Sequence, residues 1–163
     1  MSIIFSFVIA VLSSICVISF SIKYYARQKF FVELNDFLQN LNTNVAFLQN
    51  NIHQVIAKSN TNSLIFNNIL QSYDKFLSTK DEKVFNTEIN QEKLILQSDR
   101  SQLIEYLLFL GHADCETQTF KTNAFLQYTK QRKEEVDNDV HTKAILIQKL
   151  GIIAGLMIFI LLL

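Results

Sequence analysis

Proline and tryptophan are missing from this chain, and glycine occurs three times in 163 residues. Average usage would supply roughly eight prolines and eleven glycines. Those two residues punctuate turns and dominate β-rich and loop-rich folds, so their scarcity excludes a many-turned sandwich or barrel. A few long helices remain, joined by short connections rich in Asn, Ser, Thr and Asp. An excess of one charge is missing as well: 15 basic residues face 15 acidic ones. No basic stripe interleaved with aromatics appears, which argues against a nucleic-acid partner. Two cysteines, Cys16 in an apolar run and Cys115 in a polar stretch, make no disulfide framework. Cys16 also lacks the small preceding residue of a lipoprotein acceptor, since Ser14 and Ile15 stand before it.

What is present is apolar length at both ends. Ile3 to Ile22 carries no charge. At 1.5 Å per residue a helix of that length covers about 30 Å, the hydrocarbon thickness of a bilayer. Only Met1 and Ser2 precede the run, so the positive leader of a cleaved signal peptide is missing and the span is expected to be retained. The second run, Leu150 to Leu163, reaches bilayer length when extended back to Ala144, with Gln148 and Lys149 near the headgroups. The expected organisation is therefore a transmembrane helix over 1–23, a helical bundle over 24–143 and a transmembrane helix over 144–163.

No Lys or Arg lies on the terminal side of either apolar run: Lys23, Arg27 and Lys29 follow the first run, and Arg132, Lys133, Lys143 and Lys149 precede Leu150 to Leu163. By the positive-inside rule the bundle is cytoplasmic. Both spans carry small residues at helical spacing: Ser6, Ala10 and Ser14 in one, Gly151 and Gly155 in the other. Such faces permit close approach of helices in lipid, within one chain or between copies of it in a homo-oligomer.

The middle reads as an all-α bundle. From Phe30 to Ile56 the apolar residues recur at steps of three and four, one buried stripe. Asn60 to Asn62 break it. A second helix carries Leu64, Ile65, Ile69, Leu70, Tyr73, Phe76 and Leu77, and a short amphipathic piece follows over Glu82 to Ile89. Ser98 is placed to cap the next helix with Asp99 in its first turn, and Gly111 to stop it after Leu110. Asp114 is placed to cap the last helix, whose apolar face holds Phe120, Ala124, Phe125, Tyr128, Val136 and Val140. Nothing interrupts that helix before Gly151.

No constellation suggests chemistry. His112, Asp114, Cys115 and Glu116 are metal-ligand types, but at a helix start they read as turn and cap. His53 and His141 have no ligand partner at helical spacing. There is no Gly-rich phosphate loop, no GxSxG and no HExxH. Lys130 to Glu135 reads as a solvated face with Lys130 and Glu134 at i,i+4. No cofactor and no catalytic residue is expected.

At the last helix the residues form a known pattern. Asp99, Leu110 with Gly111, Asp114 and Gln118 precede a long charged helix. That helix leads to a terminal span holding Leu150, Gly151, Gly155 and Leu156. The chain resembles the stage III sporulation protein AB family in this pattern, in length and in its two terminal spans. It departs at Leu41 to Val45, where Asn42 and Asn44 stand in place of the family's two glutamates, and the proline often found soon after is missing. The resemblance implies a component of the channel complex between mother cell and forespore, in the mother-cell membrane around the forespore. Its partners would be other stage III sporulation proteins, above all the family's cytoplasmic ATPase, the AA protein. The family's soluble domain is similar to the cytoplasmic domains of the type II secretion F platform protein, which implies a platform. Lys130, Arg132 and Lys133 are the charges placed to meet such a partner. Two other classes compete. A sensory bundle between two spans predicts an extracytoplasmic bundle and an output domain; a small membrane enzyme predicts a polar constellation.

Overall fold

In the computed structural model the described residues, 2–44, 52–59, 61–110 and 115–161, are helical apart from short connections, with no strand among them. In chain order these are α1 (Ser2–Asn44), α2 (Ile52–Lys58), α3 (Leu64–Thr79), α4 (Glu82–Asn90), α5 (Gln97–Phe109) and α6 (Cys115–Asp139). A single π-helical turn (Val140–Ala144) follows, and then α7 (Ile145–Leu161). The all-α expectation is met. Of the apolar stripe read as one helix over Phe30–Ile56, α1 carries the first part and α2 the last, and residues 45–51 lie outside the described set. The chain packs as two compact units, one of residues 29–133 and one of residues 1–28 with 134–163.

The unit of residues 29–133 obeys the water-soluble rule. Phe30, Phe31, Leu34, Phe37, Leu38 and Leu41 are all buried on α1, on the steps the sequence predicts. Phe66 on α3 meets Phe30 and Phe37 edge-on, with ring centroids 6.0 and 5.6 Å apart. Tyr73 and Phe76 of α3 meet Phe85 of α4 at 5.9 and 5.0 Å. Aromatic pairs at such separations add about 0.5–1.5 kcal/mol beyond their burial. Not every apolar residue in the sequence pattern goes inward: Leu64 is 75% exposed and Phe120 73%.

Local chemistry sets the helix ends. Ser63 accepts from the Phe66 N–H and starts α3, and Asp81 accepts from the N–H groups of Lys83 and Val84 and starts α4. The oxygens of Glu33 accept from the backbone N–H groups of Asn62 and Ser63, tying the α3 entry to α1. Helix α5 begins two residues earlier than Ser98 suggests: its N-cap is Leu96, which offers no side-chain bond, and Ser98 lies inside the first turn. Arg100 holds this entry instead, donating through Nη1 to the carbonyls of Asn90 and Glu92, both at 3.0 Å. The caps expected from Gly111 and Asp114 lie outside the described residues.

Glycine scarcity leaves a mark at the end of α3. Lys80 occupies the left-handed position with φ 59°, its N–H bonded to the Phe76 carbonyl. A side chain bearing Cβ costs about 1–2 kcal/mol in that conformation. Lys80→Gly is expected to raise stability by about 0.5–1 kcal/mol, measured by thermal or denaturant unfolding followed by circular dichroism. An unchanged or lowered midpoint would show that the Lys80 ammonium over the Phe76 ring, 5.8 Å from its centroid, outweighs the backbone strain.

Candidate functional site

The most concentrated polar chemistry in the unit of residues 29–133 is where α5 meets α6. The period of α6 turns Thr122, Phe125, Leu126 and Thr129 inward, all buried. A hydropathy pattern misses the two threonines because their hydroxyls count as polar. Both are satisfied internally: Thr122 Oγ1 bonds the Tyr106 hydroxyl at 3.1 Å, and Thr129 Oγ1 donates to the Leu126 carbonyl at 3.1 Å. Tyr106 stacks on Phe125 at 4.4 Å, and Phe125 on Tyr128 at 6.0 Å.

Tyr128 and Arg132, four residues apart on α6, both reach Asp99. The carboxylate is 4% exposed. Its Oδ1 accepts from the Tyr128 hydroxyl at 2.7 Å and from Arg132 Nε at 2.8 Å, and its Oδ2 accepts from Arg132 Nη2 at 3.1 Å. This is a two-pronged guanidinium–carboxylate pair with a phenol added, the geometry in which arginine cannot be replaced by lysine. Asp99 does stand in the first turn of α5, as expected. Its main partners, however, are side chains of another helix. Arg132 is therefore engaged within the protein, whereas Lys130 is exposed and Lys133 half-buried.

Beside this pair lies a groove of about 310 Å³ walled by aromatic rings, with Tyr106 and Phe109 of α5 facing Phe120, Phe125 and Tyr128 of α6. Lys121 Nζ sits 3.8 Å from the centre of the Phe109 ring. Ala124 and Phe120, read from sequence as core positions, line this groove and are exposed, because the inward face of α6 is the one that carries Thr122 and Thr129. Burial pushes the Tyr106 hydroxyl up to about 12, and it pushes the Tyr73 hydroxyl higher still.

The other residues of the sequence pattern fall elsewhere. Leu110 is buried, ends α5 and accepts the Tyr73 hydroxyl at its carbonyl, 3.3 Å away. Gly111 and Asp114 lie outside the described residues, and Gln118 is half-buried on the first turns of α6. Asn42 donates from Nδ2 to Asn123 Oδ1 at 2.8 Å and so bridges α1 to α6. Among the described residues no three of His, Cys, Asp and Glu come together as a metal site.

With this geometry the comparison with known families is decisive: the family model described as stage III sporulation protein AB matches residues 2–163. The chain belongs to that family. No curated protein and no solved structure matches it. Gly151 and Gly155 belong to the unit of residues 1–28 with 134–163. There they are buried while Leu150, Ile152, Ile153, Leu156 and Met157 around them are exposed. One described helix, Glu116–Ile158, contains an apolar window long enough to cross a membrane. The side chains of Ser6, Ala10 and Ser14, expected to face those glycines, lie outside the described residues.

Two outcomes test the α5–α6 centre. Asp99→Asn is expected to lower stability by about 1–3 kcal/mol, because it leaves the half-buried Arg132 guanidinium, 18% exposed, without its counter-ion. Arg132→Lys should recover only part of the wild-type midpoint, since an ammonium cannot make the fork. Equal midpoints for Arg132→Lys and wild type would show that the pair is held by charge alone. In alkali the sign follows from the raised phenols. The folded protein keeps Tyr106 neutral above the ordinary tyrosine value of 10, so that contribution is complete below 10 and is lost as pH rises toward about 12. Spectrophotometric titration should show Tyr73 and Tyr106 ionising only together with unfolding, and Tyr106→Phe should move that transition to higher pH.

Proposed function

We propose that this protein is a non-enzymatic membrane platform in the channel complex joining mother cell and forespore. Its two apolar ends would lie in the membrane, and its helical unit would face the cytoplasm and dock the family's ATPase. The observation that carries the reading is the reversed burial in the unit of residues 1–28 and 134–163. Gly151, Gly155 and Ala144 are buried there, while Phe20, Ile152, Met157 and Ile160 are exposed by 60% or more. Water penalises such an arrangement, and lipid favours it.

The positive-inside distribution supports a cytoplasmic helical unit, because Lys23, Arg27 and Lys29 follow the first apolar run and Lys143 and Lys149 border the second. Absence of turnover is supported by the state of Asp99, the one buried carboxylate among the described residues. Its two oxygens are held by Arg132 and Tyr128, which suits a clamp better than a proton-transfer group. The docking charges of α6 are then Lys130 and Lys133, with Arg132 reserved for Asp99.

Charge reversal at Lys130 and Lys133 should reduce co-purification with the ATPase at unchanged helical content. Normal ATPase recruitment and spore yield in a strain lacking the protein would overturn the platform. For topology, Leu64→Cys in a chain whose native cysteines are replaced by serine puts a thiol at an exposed site. A membrane-impermeant maleimide should label it only after lysis, and labelling in intact cells would place the unit on the opposite side.

A further inference from the structure

The junction of α6 and α7 holds a departure from α-helical geometry with a consequence for the whole seam. Across Val140–Ala144 the chain makes a π turn, and the Ile145 N–H donates to the Val140 carbonyl five residues back. The inward row on either side is Val136, Val140, Ala144, Gly151 and Gly155, all buried. Between Ala144 and Gly151, Gln148 reaches α1, its Nε2 donating to Ser21 Oγ at 3.0 Å. Ser21 is itself buried.

In an unbroken α-helix this row would drift around the axis. Each α-helical residue turns the chain by about 100°, so the three successive steps of four from Val136 to Gln148 would carry the face about 120° around the axis. By Gly155 the row would still stand about 100° from Val136. Uninterrupted α-helical phase would present Lys143, Ile147 and Ala154 in place of Ala144, Gln148 and Gly155. That would put a charged and a branched side chain against α1. A π turn accommodates one residue more than an α turn, which removes the angular excess.

We propose that the π turn at Val140–Ala144 is a register device. It holds one residue in excess of the α-helical period, and so aims Gln148, Gly151 and Gly155 at α1 on the same face as Val136 and Val140. The excess residue is then dispensable, whereas a further one is not. Removing a residue from the turn converts it to plain α-helix with the downstream face unmoved.

The test uses the full-length chain with both native cysteines replaced by serine and with Ser21→Cys and Gln148→Cys introduced. A short bis-maleimide applied in membranes should join the two thiols within one chain. Deleting Thr142 should leave that yield within about twofold, whereas inserting one alanine after Thr142 should cut it by roughly fivefold or more, since the face turns by about 100°. The proposal is overturned if the deletion lowers cross-linking as deeply as the insertion, or if the deletion variant fails to accumulate in the membrane. An insertion that leaves cross-linking unchanged overturns it too, and so does a parent pair that does not join within one chain.

Discussion

The bidentate contact of Arg132 with Asp99 is the constraint on which the α5–α6 layer depends. Bringing a carboxylate and a guanidinium out of water costs several kcal/mol per ion, and their mutual attraction offsets this only when the geometry is good and the remaining lone pairs are filled. Here two N–H groups approach two oxygens within 3.1 Å, and the Tyr128 hydroxyl fills a further position at 2.7 Å. Such a pair adds little net stability over an apolar equivalent but strongly penalises every arrangement that separates its members. It therefore selects the rotation and register of α6 against α5. The Tyr106–Phe125–Tyr128 stack and the Tyr106–Thr122 bond follow from that register.

On the proposed membrane platform, two solvents act on one chain. In the unit of residues 29–133 the large side chains are inside: Phe30, Phe66, Tyr73 and Phe85 lie at the centre and lysines such as Lys130 at the surface. In the unit of residues 1–28 with 134–163 the order is reversed, with glycine and alanine buried and isoleucine, leucine and methionine outside. In lipid there is no gain from hiding large apolar groups between helices, so close approach over small residues and an occasional polar bond decide the packing. The Ser21–Gln148 bond would be of that kind on the same proposal, since a lone amide in lipid lacks water to satisfy it.

Helix α6 contributes residues to both units, and the π turn stands where the polar sequence of α6 gives way to the apolar sequence of α7. Within the unit of residues 1–28 with 134–163, the buried row from Val136 to Gly155 drifts from the phase of a single α-helix. Accommodating the mismatch in one wide turn leaves the helical bonding intact on both sides. A proline or glycine kink would break the bonding, and the chain has no proline with which to make one.

The amino-acid sequence by itself determined the helical class, because a chain without proline and with three glycines has few ways to turn. It also determined the α1 core stripe, the α3 and α4 elements and the apolar ends, since periodicity and run length are local properties. The family was legible as well, in Asp99, Leu110, Gln118 and the Gly151/Gly155 span. Only the tertiary structure decided what those residues do. That Asp99 faces Arg132 and Tyr128, that Thr122 and Thr129 go inward while Phe120 and Leu64 go out, and that Gln148 finds Ser21 are facts about pairs far apart in the chain. Hydropathy ranks each residue alone and has no access to a partner supplied by another helix. Even the π turn had a local trace, the three steps of four from Val136 to Gln148. It becomes visible only once Ala144 is known to be buried and Gln148 to bond Ser21, and both are decided by what packs against them.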